Sequence, residues 1–161
     1  MGVRNVEEFR AWQYAHRFKL EVYRIVKSSP EARRDFKYRD QLFDAASSIE
    51  SDIGEGFRRY GARSFALFLT YALSSLKEAT IRVNDGIDRG YFTADACLHA
   101  IELGQACEHA TTNLRDTQLR FGKGRKRPPH RPRPEPPRKP PPPDSSDPSD
   151  YLITQAPFTH A

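Results

Sequence analysis

The sequence predicts an all-α fold: an antiparallel up-and-down four-helix bundle in residues 1–121, followed by a disordered, basic, proline-rich C-terminal tail in residues 122–161. Two observations lead to this prediction. Four segments between residues 6 and 121 repeat apolar residues at the three-and-four spacing of a helix face, and no alternating strand pattern interrupts them. Of the 13 prolines, all but Pro30 lie at or beyond Pro128, so the folded part ends before that region.

The first helix is predicted over residues 6–29, which contain neither Gly nor Pro. Pro30 ends it, because the residue before a proline disfavours helical geometry and proline fits the first turn of a new helix. The second helix is predicted from about Arg34 to Gly56 or slightly beyond, and the small residues on its buried stripe imply close helix contacts. The expected core positions of these two helices are Phe9, Trp12, Ala15, Val22, Ile25, Val26, Leu42, Ala45, Ala46, Ile49, Ile53 and Phe57.

Glycines and a threonine mark the ends of the later helices. Gly61 is expected to end the second helix and Gly90 the third, because glycine readily takes the positive φ common at helix ends. Thr93 is placed to cap the fourth helix, which frays near Phe121. The expected core positions are Phe65, Phe68, Leu69, Ala72, Leu76, Ala79, Val83 and Ile87 in the third helix, and Ala94, Cys97, Leu98, Ile101, Gly104, Cys107, Thr111 and Leu114 in the fourth.

Five aromatic residues remain after this core is filled, and surplus apolar surface on a small bundle indicates self-association. They are Phe36, Tyr38, Phe43, Tyr71 and Phe92.

Most of the excess positive charge lies in the predicted tail. The chain carries a net charge of +5, of which residues 1–121 contribute +1 and residues 122–161 contribute +4. Residues 122–143 hold eight basic residues against one acidic residue, so we expect an extended, solvated, polyproline-II-like segment. Residues 144–161 are expected to be disordered or to act as a short docking peptide.

Composition excludes several classes of protein. No apolar run approaches the ~18 residues of a membrane span, and the N-terminus lacks the apolar stretch of a signal peptide, so a cytoplasmic protein with no membrane partner is expected. The only cysteines, Cys97 and Cys107, are about 15 Å apart if they share a helix, too far to form a disulfide.

Enzyme signatures are also missing. No Glu-x-x-His pair, phosphate loop or Gly-x-Ser-x-Gly motif is present, so we expect no catalytic residue, no cofactor and no metal. His99 and Glu102 have the reverse order and stand alone. Asp52 and Glu55 share one helix face, which allows either a paired-carboxylate site or salt bridges with Arg58, Arg59 or an arginine of the first helix. The salt bridges are the preferred interpretation, since no third catalytic group accompanies the carboxylates.

The arginines are the more informative residues. Arg10, Arg17 and Arg24 recur every seven residues along the first helix, extended by Lys27, and another group lies at the turn between the second and third helices. Such a stripe is either a solvated face or a phosphate-binding surface, because arginine suits bidentate phosphate contacts. The predicted nucleic-acid-binding residues are Arg10, Arg17, Arg24, Arg58, Arg59 and Arg63.

Several stretches, taken together, resemble one family, the four-helix-bundle proteins encoded in intervening sequences of bacterial 23S ribosomal RNA genes. The resemblance covers about residues 6–121, and its most specific part is a Ser-Ile-x-x-x-Ile-x-Glu-Gly-Phe-x-Arg pattern from Ser48 to Arg59. The stretches that carry it are Phe9–Ala15, Val22–Tyr23, Gln41–Arg59, Phe65–Leu69 and Ala72–Glu78.

This resemblance implies a left-handed bundle that forms a homopentamer and has no established enzymatic activity. It also implies a relation to accessory proteins of diversity-generating retroelements, whose pentamers bind nucleic acid and a reverse transcriptase. The chain departs from the family pattern Pro-x-Asn-Ile-Ala-Glu-Gly, because Glu50 replaces the proline and Asp52 the asparagine. It also lacks the Ser-x-x-Glu capping box at the start of the third helix.

Two functions follow as hypotheses. The leading one is a non-catalytic, oligomeric scaffold that binds RNA or DNA, because basic surfaces repeated around a ring give avidity. The alternative is a protein-interaction module, in which the bundle oligomerises and the proline-rich tail recruits a partner by polyproline-II recognition.

Overall fold

Four long helices form the part of the chain that the computed structural model describes, residues 4–59 and 61–124. A 3₁₀-helix over Val6–Glu8 precedes them. The α-helices are α1 (Arg10–Ser28), the short α2 (Pro30–Arg34), α3 (Phe36–Arg58), α4 (Ala62–Asp88) and α5 (Ala94–Gly124). The predicted tail lies outside the described residues, except that α5 continues three residues past Phe121.

The predicted first helix is interrupted near its start. Phe9 has extended backbone angles (φ −76°, ψ 130°) and separates the 3₁₀-helix from α1. The Asn5 backbone N–H donates to Glu8 Oε1 at 3.0 Å, which satisfies a donor that a helix start leaves without a partner. The prediction of one helix from residue 6 is therefore wrong for its first turn.

A separate short helix, α2, precedes the predicted second helix. Ser29 Oγ accepts a hydrogen bond from Ala32 N–H at 3.1 Å, with Pro30 at the first helical position. Asp35 then caps α3 by accepting from Tyr38 N–H at 3.1 Å. Two successive caps thus place a break at Asp35, and α3 begins at Phe36 rather than near Arg34.

Both remaining turns contain a glycine with positive φ, as expected, but Gly61 lies at the start of the next helix instead of ending the previous one. Gly61 has a φ of +107° and immediately precedes α4, whereas α3 has already ended at Arg58. Gly90 has a φ of +73°. Its N–H donates to Ile87 O at 2.9 Å, and Tyr91 N–H donates to Gly86 O at 2.8 Å, the paired bonds of a Schellman motif.

The fourth helix is capped as predicted, because Ala96 N–H donates to Thr93 Oγ1 at 3.2 Å.

The long helices pack in the order α1, α3, α4, α5 around one core. The helix α1 contacts both α3 and α5, and α4 contacts the same two helices from the opposite side. This is the predicted antiparallel four-helix bundle. None of the helices in the described residues has an apolar stretch long enough to cross a membrane.

The predicted core is largely correct for α3 and α4 and less so for α1 and α5. Leu98, a predicted core position, is 54% exposed, and Ala94 is also exposed. Phe18, Ala100 and Leu103 are buried although the prediction omits them. In α5 the buried stripe passes through Cys97, Ala100, Leu103 and Cys107, and Leu98 lies about 100° away from Cys97 around the helix.

The surplus aromatic residues divide into two groups. Tyr38 and Phe92 are buried, and Phe43 packs edge-to-face on Tyr23 with the ring centroids 4.6 Å apart. These three belong to the bundle, so the expectation that all five are surplus is wrong. Phe36 and Tyr71 remain exposed.

Aromatic rings occupy notches that glycines leave in the helix surfaces. At Gly86, a Cβ atom would collide with the Tyr38 hydroxyl and would lie 2.5 Å from Phe92 Cε2. The Tyr38 hydroxyl donates to Arg82 O at 2.7 Å, so its position is fixed. A Cβ atom at Gly54 in α3 would meet no atom within 4 Å.

We therefore expect opposite effects from alanine at these two glycines. Gly86→Ala should lower the free energy of unfolding by about 1–3 kcal/mol, because the added methyl overpacks a buried notch. Gly54→Ala should raise it by up to about 1 kcal/mol, because alanine favours the helix and meets no neighbour. Urea unfolding followed by circular dichroism measures both. Equal effects of the two substitutions would contradict the packing described at Gly86.

Candidate nucleic-acid interface

One side of α1 is basic along its whole length. Its side chains follow the three-and-four spacing of a single helix face, so they point the same way. All of them are exposed and none is acidic; we call this surface the basic face, formed by Arg10, Gln13, Arg17, Leu20, Arg24 and Lys27. From Arg10 to Arg24 the face extends about 21 Å along the helix axis.

Arg24 differs from the other two arginines of the basic face because its guanidinium forms an ion pair with the side chain of Glu21. Its Nε donates to both oxygens of Glu21 at 3.0 Å, and its Nη2 donates to Glu21 Oε1 at 2.7 Å and to Ala96 O at 3.2 Å. The hydrogen bond from Arg24 lowers the pKa of Glu21. Among the described residues, Arg10 and Arg17 form no ion pair, so their guanidinium groups are the ones available to an external anion.

The bundle brings a second group of arginines to one end. The chain enters α1, leaves α3, enters α4 and leaves α5 at this end, as three contacts show. Phe9 packs on Phe57 and Phe65 with centroid distances of 5.6 and 5.8 Å, and Gly122 lies against the side chain of Arg63. The boundaries of α1, α3 and α4 at this end carry four arginines, which we call the arginine end: Arg10, Arg58, Arg59 and Arg63.

One member of the arginine end is partly engaged. Arg59 forms an ion pair with Glu55, one helical turn earlier, and its guanidinium lies 5.2 Å from the ring centroid of Phe68. Both side chains of the pair are about half exposed, and such exposed pairs contribute little to stability. The pair holds Arg59 in place without removing it from solvent.

The six predicted arginines therefore occupy two surfaces that share Arg10. Arg17 and Arg24 continue along α1, whereas Arg58, Arg59 and Arg63 lie with Arg10 at the arginine end. The prediction missed Arg120, which is exposed on the last turns of α5 at this same end. The predicted antiparallel bundle, with a fourth helix that ends near Phe121, already implies this location, but no regular spacing in the sequence distinguishes Arg120 from other surface arginines.

Asp52 and Glu55 of α3 do not form a paired site. Glu55 takes the predicted ion pair with Arg59. Asp52 instead accepts a hydrogen bond from Ser75 Oγ of α4 at 3.3 Å, so the predicted salt bridge is wrong for Asp52. Partial burial in the α3–α4 interface raises the pKa of Asp52.

Glu50, the other departure from the family pattern, joins α3 to α1. Its Oε2 lies 2.5 Å from Lys19 Nζ and 3.2 Å from His16 Nδ1. The His16 ring stacks on Trp12 with the centroids 5.1 Å apart. His16 therefore has a structural role, because it helps to hold α1 against α3 through Glu50.

No cluster of His, Cys, Asp and Glu in residues 4–59 and 61–124 could hold a metal ion. His99 and Glu102 approach to 3.8 Å, but both are strongly exposed. Cys97 and Cys107 are free and buried. Burial raises the pKa of both thiols, that of Cys107 to about 11, so neither is a reactive thiolate at neutral pH.

The family model described as 23S rRNA-intervening sequence protein matches residues 7–112, which include the basic face and the arginines of the α3–α4 turn. No curated protein matches the chain.

The raised pKa of Asp52 predicts a pH-dependent penalty on stability. A carboxyl whose pKa is higher in the folded state favours folding when protonated, so its ionisation costs stability as the pH rises from acid to neutral. Asp52→Asn should therefore raise the free energy of unfolding at pH 7, by less than about 1 kcal/mol because solvent reaches the site.

Thermal unfolding of both proteins between pH 3 and pH 7 tests this expectation. The advantage of the asparagine variant should shrink toward pH 3. A constant difference across the range, or a lower melting temperature of the variant at pH 7, would contradict the assigned effect. Asp44→Asn is the matched control, since Asp44 is an exposed aspartate of the same helix.

Proposed function

Because the chain belongs to the 23S rRNA-intervening sequence protein family, we propose that it is a non-catalytic, homo-oligomeric scaffold that binds RNA or DNA through its basic face and arginine end. The basic face is the observation that carries this proposal. Solvated helix faces normally alternate charges of both signs, whereas this one presents three arginines and a lysine with no exposed carboxylate among them.

Arginine at these positions favours phosphate as the ligand. The guanidinium group presents a planar fork of donors that matches two phosphate oxygens. Arg10 and Arg17 are separated by about 10 Å along α1, so they can contact different phosphates of one strand. Phosphate contacts carry no base information, and the proposed binding is therefore general rather than sequence-specific.

Assembly would strengthen such binding. One subunit offers only a few phosphate contacts, but several subunits on one polyanion convert weak contacts into avidity. Exposed apolar side chains on one face of α4 support self-association: Leu67, Tyr71 and Ile81 are 49%, 47% and 56% exposed. We call this face the α4 strip; Ser74 and Glu78 lie between Tyr71 and Ile81 on it. Five subunits is the number that the family resemblance implies.

The α4 strip also supports the second candidate, a protein-interaction module. In that case the strip gathers copies of the chain, and the proline-rich segment beyond Gly124 recruits a protein partner. The relation to retroelement accessory proteins, with a reverse transcriptase as partner, remains a prediction. The two candidates differ in whether the partner binds through the arginines of the bundle or through the proline-rich segment.

Charge reversal on the basic face tests the leading candidate. The variant Arg10→Glu, Arg17→Glu, Arg24→Glu should lose at least about tenfold in affinity for any RNA or DNA duplex at moderate salt, because phosphate contacts dominate non-specific affinity. Fluorescence anisotropy with a labelled duplex measures the loss.

The matched control carries the same change of charge elsewhere: Arg33→Glu, Lys37→Glu, Lys77→Glu, all exposed residues outside both surfaces. We expect it to lose clearly less affinity than the basic-face variant. If both triple variants bind alike, net charge rather than the basic face governs binding, and the assignment of these arginines is wrong.

Assembly is a separate prediction. Light scattering on the full chain should give an oligomer, with five subunits expected, and Tyr71→Glu should shift it toward smaller species because it places a charge among the apolar side chains of the α4 strip. Leu98→Glu is the matched control, since Leu98 is as exposed as Tyr71 but lies on α5. A monomeric parent at micromolar concentration would remove the avidity argument.

A further inference from the structure

A groove of about 450 Å³ lies between α1 and α5, beside the arginine end. Its floor is apolar and includes Ala106, Ala110 and Leu114. Polar side chains also line it: Arg10 and Tyr14 on α1, and His109 and Asn113 on α5. The basic face of α1 therefore borders the groove, since Arg10 belongs to both.

The groove exists because small residues face each other where the two helices are held close together. Cys107 Sγ lies 3.8 Å from Ala11 O, and Phe18 packs against Gly104, where a side-chain carbon would lie 3.4 Å from Phe18 Cε2. These contacts fix the spacing of α1 and α5 below the surface. Ala106 and Ala110 are too short to fill the space above, so the depression remains open.

The walls offer the chemistry of an unpaired base. An aromatic ring provides a stacking partner for any base, and a side-chain amide can donate to and accept from a base edge, best that of adenine. Tyr14 and Asn113 supply these two groups. Among the described residues that line the groove none is acidic, so nothing repels the phosphates attached to the base.

We propose that this groove receives one unpaired base of a bound nucleic acid, with Arg10 and Arg17 holding phosphates on either side of it. The spacing on α1 fits this arrangement, because Arg10, Tyr14 and Arg17 follow one another at intervals of one helical turn. The inference rests on the proposed function and adds a preference for single-stranded or looped segments over continuous duplex.

Filling the groove tests the proposal without changing any charge. The variant is Ala110→Leu in the full chain, and the ligands are a labelled 12-nucleotide adenosine strand and a 12-base-pair duplex. Loss of one stacked base should weaken binding of the single strand about tenfold, whereas binding of the duplex should stay within about twofold. Ala94→Leu is the matched control, because Ala94 is an exposed alanine at the opposite end of α5.

A second variant, Asn113→Ala, keeps the test decisive if Ala110→Leu does not fold as judged by circular dichroism. It should weaken binding of the adenosine strand more than binding of a thymidine strand of equal length. Equal losses on all ligands, or no loss on any, would overturn the proposal while leaving the proposed function standing.

Two further outcomes separate the alternatives. If Ala110→Leu changes the mass measured by light scattering, the groove is a contact between copies of the chain and the proposal is wrong. If the parent protein binds neither the strand nor the duplex, the proposed function itself fails and the base site fails with it.

Discussion

The packing of three phenyl rings at one end of the bundle decides where its charges lie. Phe9 before α1, Phe57 near the end of α3 and Phe65 near the start of α4 contact one another, so three helix boundaries are fixed at one place. Burial of such rings is a major stabilising contribution in a small core. The arginines next to these boundaries are thereby collected at the arginine end, although nearly fifty residues of sequence separate Arg10 from Arg58.

The bundle follows from sequence because helix periodicity and caps are local signals. The buried stripe of α4, the cap at Thr93 and the turn at Gly90 are confirmed, and each depends on a few neighbouring residues. The prediction for Leu98 is wrong because a leucine and a cysteine at adjacent positions cannot both face the core, and periodicity alone does not choose between them. The break at Asp35 was missed because two caps in succession compete with a continuous helical pattern.

The candidate site depended on information of a different kind. The seven-residue spacing of Arg10, Arg17 and Arg24 showed that they share a face, but only the structure shows that Glu21 engages Arg24 and leaves the other two without an ion pair among the described residues. The groove beside them is made by residues of α1 and α5 that lie about a hundred positions apart in sequence. Such a site requires the packing of two distant helices, which composition and spacing do not specify.

The central claim is that nucleic acid lies on the bundle, along α1 and at the arginine end. Photo-crosslinking of the full chain to a labelled strand, followed by mass spectrometry of the digested protein, locates the contacts directly. We expect crosslinked peptides from residues 10–28 and from residues 58–63. Crosslinks confined to peptides beyond Gly124 would contradict the claim, because the bound strand would then lie on the proline-rich segment alone.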